Sequence, residues 1–147
     1  MTGHQQNPGT GYTLQGDMTN EVDIEALVKA CGIKNIRTIN PNNLSQVKET
    51  LDWAFDLEEP SVIITRWPCV LKKFSNKDIE EFNNPFTSKC SVDSEKCIGC
   101  KLCMKTGCPA ISFKSEKKCV VIDKNQCVGC EVCSQVCPKD AISKEVN

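Results

Sequence analysis

The strongest constraint on this chain is a cysteine pattern that occurs twice. CIGCKLCMKTGCPAI begins at Cys97, and CVGCEVCSQVCPKDAI begins at Cys127. Each copy spaces three cysteines two residues apart and follows them with a fourth that precedes a proline. Each copy is also led by an apolar residue and an aspartate at matching offsets, Val92-Asp93 and Ile122-Asp123. A duplication with matching flanks predicts two similar half-units related by a pseudo-two-fold axis. Ile111–Lys114 and Cys119–Ile122 read as short strands joined by the polar turn Ser115–Lys118.

The spacing defines the chemistry. A tight loop with a thiolate at every third position wraps three corners of an iron–sulfur cube, and the fourth corner must be reached from elsewhere in the chain. Zinc instead takes four thiolates in two separated pairs, and two three-cysteine loops with trailing Cys-Pro do not partition that way. The chain holds 12 cysteines, and ten of them fall between Cys90 and Cys137. A disulfide framework would spread them along a secreted chain. The N-terminus has no charged start followed by an apolar core, so it is not a secretory signal, nor does it read as the start of a domain. Clustered cysteines without an export signal favour metal ligation in a reducing, cytoplasmic compartment. Gly99 and Gly129 precede the second cysteine of each loop, where glycine lets the backbone turn with positive φ and approach the cluster closely. Amides exposed there can hydrogen-bond to sulfur and raise the reduction potential. Pro109 and Pro138 fix the exit direction of the chain.

Four cysteines fall outside the motifs: Cys31, Cys69, Cys90 and Cys119. Each is expected to be a buried or inert thiol, as free cysteine commonly is. Cys90 aligns in the repeat with Val120, which predicts a small buried side chain. The single histidine, His4, lies in a Gly-rich polar stretch and reads as a loop residue.

Charge excludes some partners. The net charge is −1, which argues against nucleic acid. No run of about 18 apolar residues is present to span a membrane. Residues 89–147 carry +3 and residues 1–88 carry −4. Each oxidised cluster with its thiolates adds about −2 to its surroundings, so the lysine excess partly offsets the clusters. That balance predicts a docked module rather than a strongly acidic free carrier.

Residues 1–71 carry a different pattern. Ile24, Leu27, Val28 and Cys31 fall at helical spacing, with Asn20 as the expected N-cap and Gly32 as the stop. Asn35–Ile39 reads as a strand. Asn42 or Asn43 caps a second helix with Leu44, Val47, Leu51 and Phe55 on one face. Ser61–Arg66 reads as a strand buried on both sides. Helix, strand, helix, strand implies a parallel sheet. Two strands and two helices cannot cover both faces of such a sheet. The segment therefore reads as the end of a larger α/β domain, its remainder missing or supplied by another chain. Residues 72–89 read as a charged linker and residues 90–147 as the cluster domain.

The two motifs resemble those of bacterial two-cluster [4Fe-4S] ferredoxins, in which the fourth cysteine of each run ligates the other cluster. The resemblance implies Cys97, Cys100, Cys103 and Cys137 at the first cluster and Cys127, Cys130, Cys133 and Cys108 at the second. The first run has one extra residue before its fourth cysteine, expected as a bulge near Gly107. The whole chain resembles the C-terminal end of the alpha subunit of indolepyruvate ferredoxin oxidoreductase, a thiamine-diphosphate 2-oxoacid oxidoreductase. MTGHQQNPGTG at Met1–Gly11, DIEALVKACGI at Asp23–Ile33, SVIITRWPCVL at Ser61–Leu71 and both cluster motifs carry that likeness. It implies an α/β fragment, the end of a thiamine-diphosphate-binding domain, followed by a small α+β two-cluster ferredoxin-like domain. Thr2, Gly3, His4 and Gln5 would be the remnant of a loop on the thiamine side. The Gly-Asp and Asn motif that holds magnesium and diphosphate in the family is not in this sequence, so thiamine diphosphate and Mg are expected only in a complete enzyme, and the chain is not expected to catalyse by itself.

The implied chemistry is oxidative decarboxylation of an arylpyruvate to an acyl-CoA, with electrons leaving singly through the clusters to ferredoxin. The implied partners are ferredoxin, the remaining alpha-subunit segment and a beta subunit. Two other readings compete. One is a self-sufficient ferredoxin-like carrier with an N-terminal appendage, and the other is a zinc scaffold.

Overall fold

The computed structural model describes residues 7–72, 74–83, 86 and 88–145. The chain divides between Phe82 and Asn83 into two compact units. Among the described residues, no helix is long and apolar enough to cross a membrane.

The first unit is built on a parallel strand pair. Helix α1 spans Ile24–Ala30, strand β1 Asn35–Ile39, helix α2 Leu44–Phe55 and strand β2 Ser61–Thr65. β1 and β2 run parallel in register from Asn35 opposite Ser61 to Ile39 opposite Thr65, as the alternation of elements predicts. Asp23, not Asn20, caps α1, its Oδ1 accepting from Ala26 N at 2.9 Å. The cap falls later because the apolar spacing begins at Ile24, and a carboxylate there meets the free N–H groups of the first turn. The helix closes with Ile33 N donating to Val28 O and Gly32 N to Lys29 O, a Schellman pairing. Asn43 caps α2 through Gln46 N at 3.1 Å.

Packing in this unit departs from expectation. β2 is half-buried rather than sealed on both faces. α2 buries Thr50, while Leu51 is exposed and Phe55 is 84% exposed. Ile24 and Leu27 of α1 are exposed as well. Cys31, expected on a buried face, is the exposed C-cap of α1. The apolar stripes read from the sequence are present, but two strands offer too little surface to receive them.

A third helix, α3 at Asn76–Glu81, lies within the stretch read as a linker. Ser75 and Asp78 form a reciprocal capping box at its start. Lys72 Nζ grips both Asp78 oxygens at 2.8 and 2.9 Å. Trp67 meets Phe82 edge-on at 5.4 Å, and Arg66 bridges Glu21 at 3.1 Å and Glu81 at 2.7 Å. These contacts fix α3 to the end of β2.

The second unit shows the duplication directly. Strand β3 is Cys90–Val92, β4 Ile111–Lys114, β5 Cys119–Ile122 and β6 Ile142–Lys144. β3 pairs antiparallel with β6, and β4 with β5, so Val92 faces Ile142 as Ile122 faces Ile111. A 3₁₀ turn at Leu102–Thr106 in the first half corresponds to helix α4, Val132–Gln135, in the second. The halves share finer detail. Asp93 N donates to Ala141 O and Asp123 N to Ala110 O, each at 2.8 Å. The 3₁₀ turn is one residue longer than α4 and ends at Gly107 in the left-handed region, which takes up the extra residue before Cys108. The core is Cys90, Cys103, Ala110, Ile111, Val120, Cys127, Cys133 and Ile142. Half of these are thiols, three of them motif cysteines, so the candidate ligands are built into the core.

Candidate metal centre

Each motif begins on an aspartate. Cys97 N donates to Asp93 O at 3.0 Å, and Cys127 N to Asp123 O at 2.9 Å. The aspartate side chains cap the same turns, accepting from Glu95 N and Asn125 N at 2.9 Å. Each loop then passes through two left-handed residues, Gly99 and Lys101 in the first and Gly129 and Glu131 in the second. In the first loop this winding returns the chain on itself, and Cys97, Cys100 and Cys103 line one pocket.

Both glycines have the positive φ read from the sequence, and a close backbone neighbour adds a second requirement. A β-carbon on Gly99 would stand 2.5 Å from Lys118 O, and one on Gly129 would stand 1.8 Å from Ser88 O. The close neighbour is the segment just before the strand that leads into the opposite half, at equivalent positions of the repeat.

Cys97, Cys100, Cys103 and Cys137 line one pocket, together with Ile98, Val120 and Pro138. The fourth cysteine of the second run thus lies with the first three of the first run. Cys108 of the first run likewise lies near enough to Cys133 of the second to act on its thiol. Burial pushes the Cys133 thiol up to about 12, and the nearby Cys90, Cys130 and Cys108 add to the rise. Burial also raises Cys103. Its own backbone N–H opposes that rise, and Cys100, Cys137 and Cys97 add to it. Thiols grouped this way cannot all ionise unless a multivalent cation compensates them.

The donor set fits a cube better than a single ion. Four thiolates at about 2.3 Å from one zinc would bring their sulfurs within about 4 Å of each other. Among the described residues, no three Cys, His, Asp or Glu side chains converge that way. The thiols surround a space instead. Two backbone amides are aimed at sulfur, Ala141 N at Cys137 Sγ, 3.3 Å, and Cys90 N at Cys127 Sγ, 3.4 Å. Lys89 Nζ holds the Cys127 carbonyl at 2.5 Å, and Lys101 stacks over Phe113 at 4.1 Å. The two sites differ in exposure. Cys100 is exposed, while its counterpart Cys130 is half-buried, and Cys97 is half-buried while Cys127 is buried.

Of the cysteines outside the motifs, Cys90 and Cys119 are buried as expected and Cys69 is half-buried. Cys90 has more neighbours of consequence than its motif-free position implies, since it touches both Cys127 and Cys133. Its alignment with Val120 beside a cluster loop was the signal that could have marked it. Thr2, Gly3, His4 and Gln5 lie outside the described residues.

Comparison with known proteins agrees with this geometry. Residues 90–144 match the 4Fe-4S dicluster domain, and residues 1–65 match the C-terminal TPP-binding domain of thiamine pyrophosphate enzymes. The chain is therefore the end of a thiamine-enzyme domain followed by a two-cluster iron–sulfur module. Over 145 residues, 98% of its length, it is 37% identical to the indolepyruvate oxidoreductase subunit IorA of Pyrococcus horikoshii. Over 142 residues it is 38% identical to the subunit of the same name from Thermococcus kodakarensis. Along nearly its whole length the chain is similar to these IorA subunits. It spans 22% and 21% of the length of those two relatives. Ferredoxin I from Desulfovibrio africanus superposes with a TM-score of 0.37 at 25% identity, covering 42% of this chain and 100% of that one.

Proposed function

We propose that this chain passes electrons singly through two [4Fe-4S] clusters as part of a 2-oxoacid:ferredoxin oxidoreductase acting on indolepyruvate and related arylpyruvates. Cys97, Cys100, Cys103 and Cys137 hold the first cluster, and Cys127, Cys130, Cys133 and Cys108 hold the second. The observation that carries this reading is the cavity that Cys137 shares with the three cysteines of the other run. A [4Fe-4S] cluster supplies one-electron chemistry at a potential set by its hydrogen bonds and exposure.

The protein's own residues supply the rest. The Ala141 and Cys90 amides stabilise charge on the cysteine sulfurs and so favour electron uptake. The buried aliphatic residues Ile111, Val120 and Ile142 keep water from the inner faces. The exposed edge at Cys100 is the side on which a ferredoxin acceptor approaches. In this reading residues 1–71 end the thiamine-diphosphate domain, residues 72–89 connect it and residues 90–147 carry the clusters. Thr2, Gly3, His4 and Gln5 lie toward the thiamine diphosphate and its Mg. The exposed faces of α1 and α2 pack against the remainder of the alpha subunit, and a beta subunit completes the enzyme.

A reductive titration of the anaerobic chain tests the electron-transfer claim. Uptake of about two electrons per chain, with paramagnetic signals from two coupled clusters, is expected. Uptake of one or none contradicts it. The second reading is a self-sufficient ferredoxin-like carrier, and it is favoured by the independent core of the second unit. Rapid, saturable exchange between the isolated chain and a ferredoxin reductase would select that reading.

A further inference from the structure

At one buried position that faces a cluster loop, the two halves of the cluster module carry side chains of different chemistry. Beside the first site that position is Val120, which lines the pocket of Cys97, Cys100, Cys103 and Cys137. Beside the second site it is Cys90, which is 1% exposed. Its backbone N–H donates to Cys127 Sγ at 3.4 Å. Its thiol is within hydrogen-bonding reach of the Cys127 and Cys133 thiols and of the Glu131 backbone N–H. Cys90 is therefore packed inside the loop that carries three ligands of the second cluster, and it belongs to neither run.

We propose that Cys90 is a positioning residue that ligates no iron and donates its S–H to the sulfur of Cys127, a ligand of the second cluster, holding that cluster's reduction potential above the value it would have with an aliphatic residue there. This rests on the cluster assignment proposed above. The repeat itself argues against ligation. Valine at the equivalent position cannot bind iron, yet the first site still has four thiols. A thiol is a weak donor, and in a site without water a donor aimed at sulfur stabilises the more negative, reduced state. Electron uptake at the second cluster makes and breaks no covalent bond at Cys90. The S–H remains on Cys90 throughout.

The test uses the full 147-residue chain with its clusters reconstituted, titrated potentiometrically and followed by electron paramagnetic resonance. Cys90→Val copies the other half, so it is expected to fold and to keep iron and sulfide at the wild-type level. One midpoint should then fall, with the equilibrium for electron uptake at that cluster weakened about tenfold, near 59 mV for a one-electron couple. Cys90→Ser, which keeps a donor, should stay near wild type. Val120→Cys probes the same point with Cys90 untouched and should raise the other midpoint. Loss of a cluster in Cys90→Val would make Cys90 a ligand and overturn the proposal. Unchanged midpoints in both Cys90→Val and Val120→Cys, with clusters intact, would overturn it too. Failure of the cluster assignment itself is distinct, because the unmutated chain would then lack two clusters.

Discussion

Gly129 passes so close to Ser88 that a β-carbon on the glycine would stand 1.8 Å from the Ser88 carbonyl oxygen. The equivalent approach in the other half, Gly99 to Lys118, leaves 2.5 Å. Both glycines also have φ near +70°. Gly129→Ala is therefore expected to be the more damaging change. The left-handed backbone alone costs about 1–2 kcal/mol with a side chain, and collision with a fixed carbonyl adds to it. Thermal melts of the cluster-loaded chain should rank wild type above Gly99→Ala and Gly99→Ala above Gly129→Ala. A reversed order would mean that cluster approach, and not strand approach, fixes these glycines.

The crossed ligand sets predict how single deletions partition. Cys137→Ala should remove the first cluster and Cys108→Ala the second, each leaving about half the iron. The discriminating readout is the spectrum of the surviving cluster. Cys137→Ala should leave the same signal as Cys100→Ala, and Cys108→Ala the same signal as Cys130→Ala. If Cys137→Ala instead matched Cys130→Ala, each run would hold its own cluster.

Much of this architecture was legible in the chain. β1, β4 and β5 fall where alternation and turn residues place them, because each is a short apolar run bounded by polar turns. The crossed cysteine sets were implied by the ferredoxin resemblance, since the repeat alone does not say which cluster each fourth cysteine joins. What could not be read was tertiary in origin. Phe55 keeps helical spacing with Leu51 but has nothing to pack on. Helix α3 was hidden because Ile79 is its one large aliphatic residue, although Ser75 and Asp78 carry the capping-box signal. The glycine contacts were hidden because sequence spacing reports φ preference, not which strand runs alongside.

Lys72 and Asp78 form the pair that anchors α3, and both side chains are mostly buried. Burial works against the Asp78 charge. The Lys72 ammonium and the Ser75 N–H and O–H outweigh burial and hold Asp78 below its ordinary 3.8. A lowered folded pKa means that the contribution is present above the unfolded value and lost as pH falls through the folded one. The first unit should therefore weaken below about pH 4. Asp78→Ala should remove roughly 2–3 kcal/mol at neutral pH by leaving Lys72 unpaired and the helix uncapped. Both tryptophans lie in the first unit, so their fluorescence during urea unfolding reads this loss.

The exposed face of α2 predicts a near-silent substitution. Phe55→Ser should change the stability of the isolated chain by less than about 0.5 kcal/mol, as surface substitutions do. Thr50→Asp, at a position only 2% exposed, should unfold the first unit under the same conditions. A large loss from Phe55→Ser in urea melts would mean that the face is already covered within this chain.

The most direct test of the central claim is the iron and acid-labile sulfide content of the chain prepared without oxygen. Two [4Fe-4S] clusters predict iron and sulfide in equal amounts, about eight of each per chain, with a broad visible absorption that bleaches on reduction. Zinc without labile sulfide, or iron at about half that level in the unmutated chain, would contradict it.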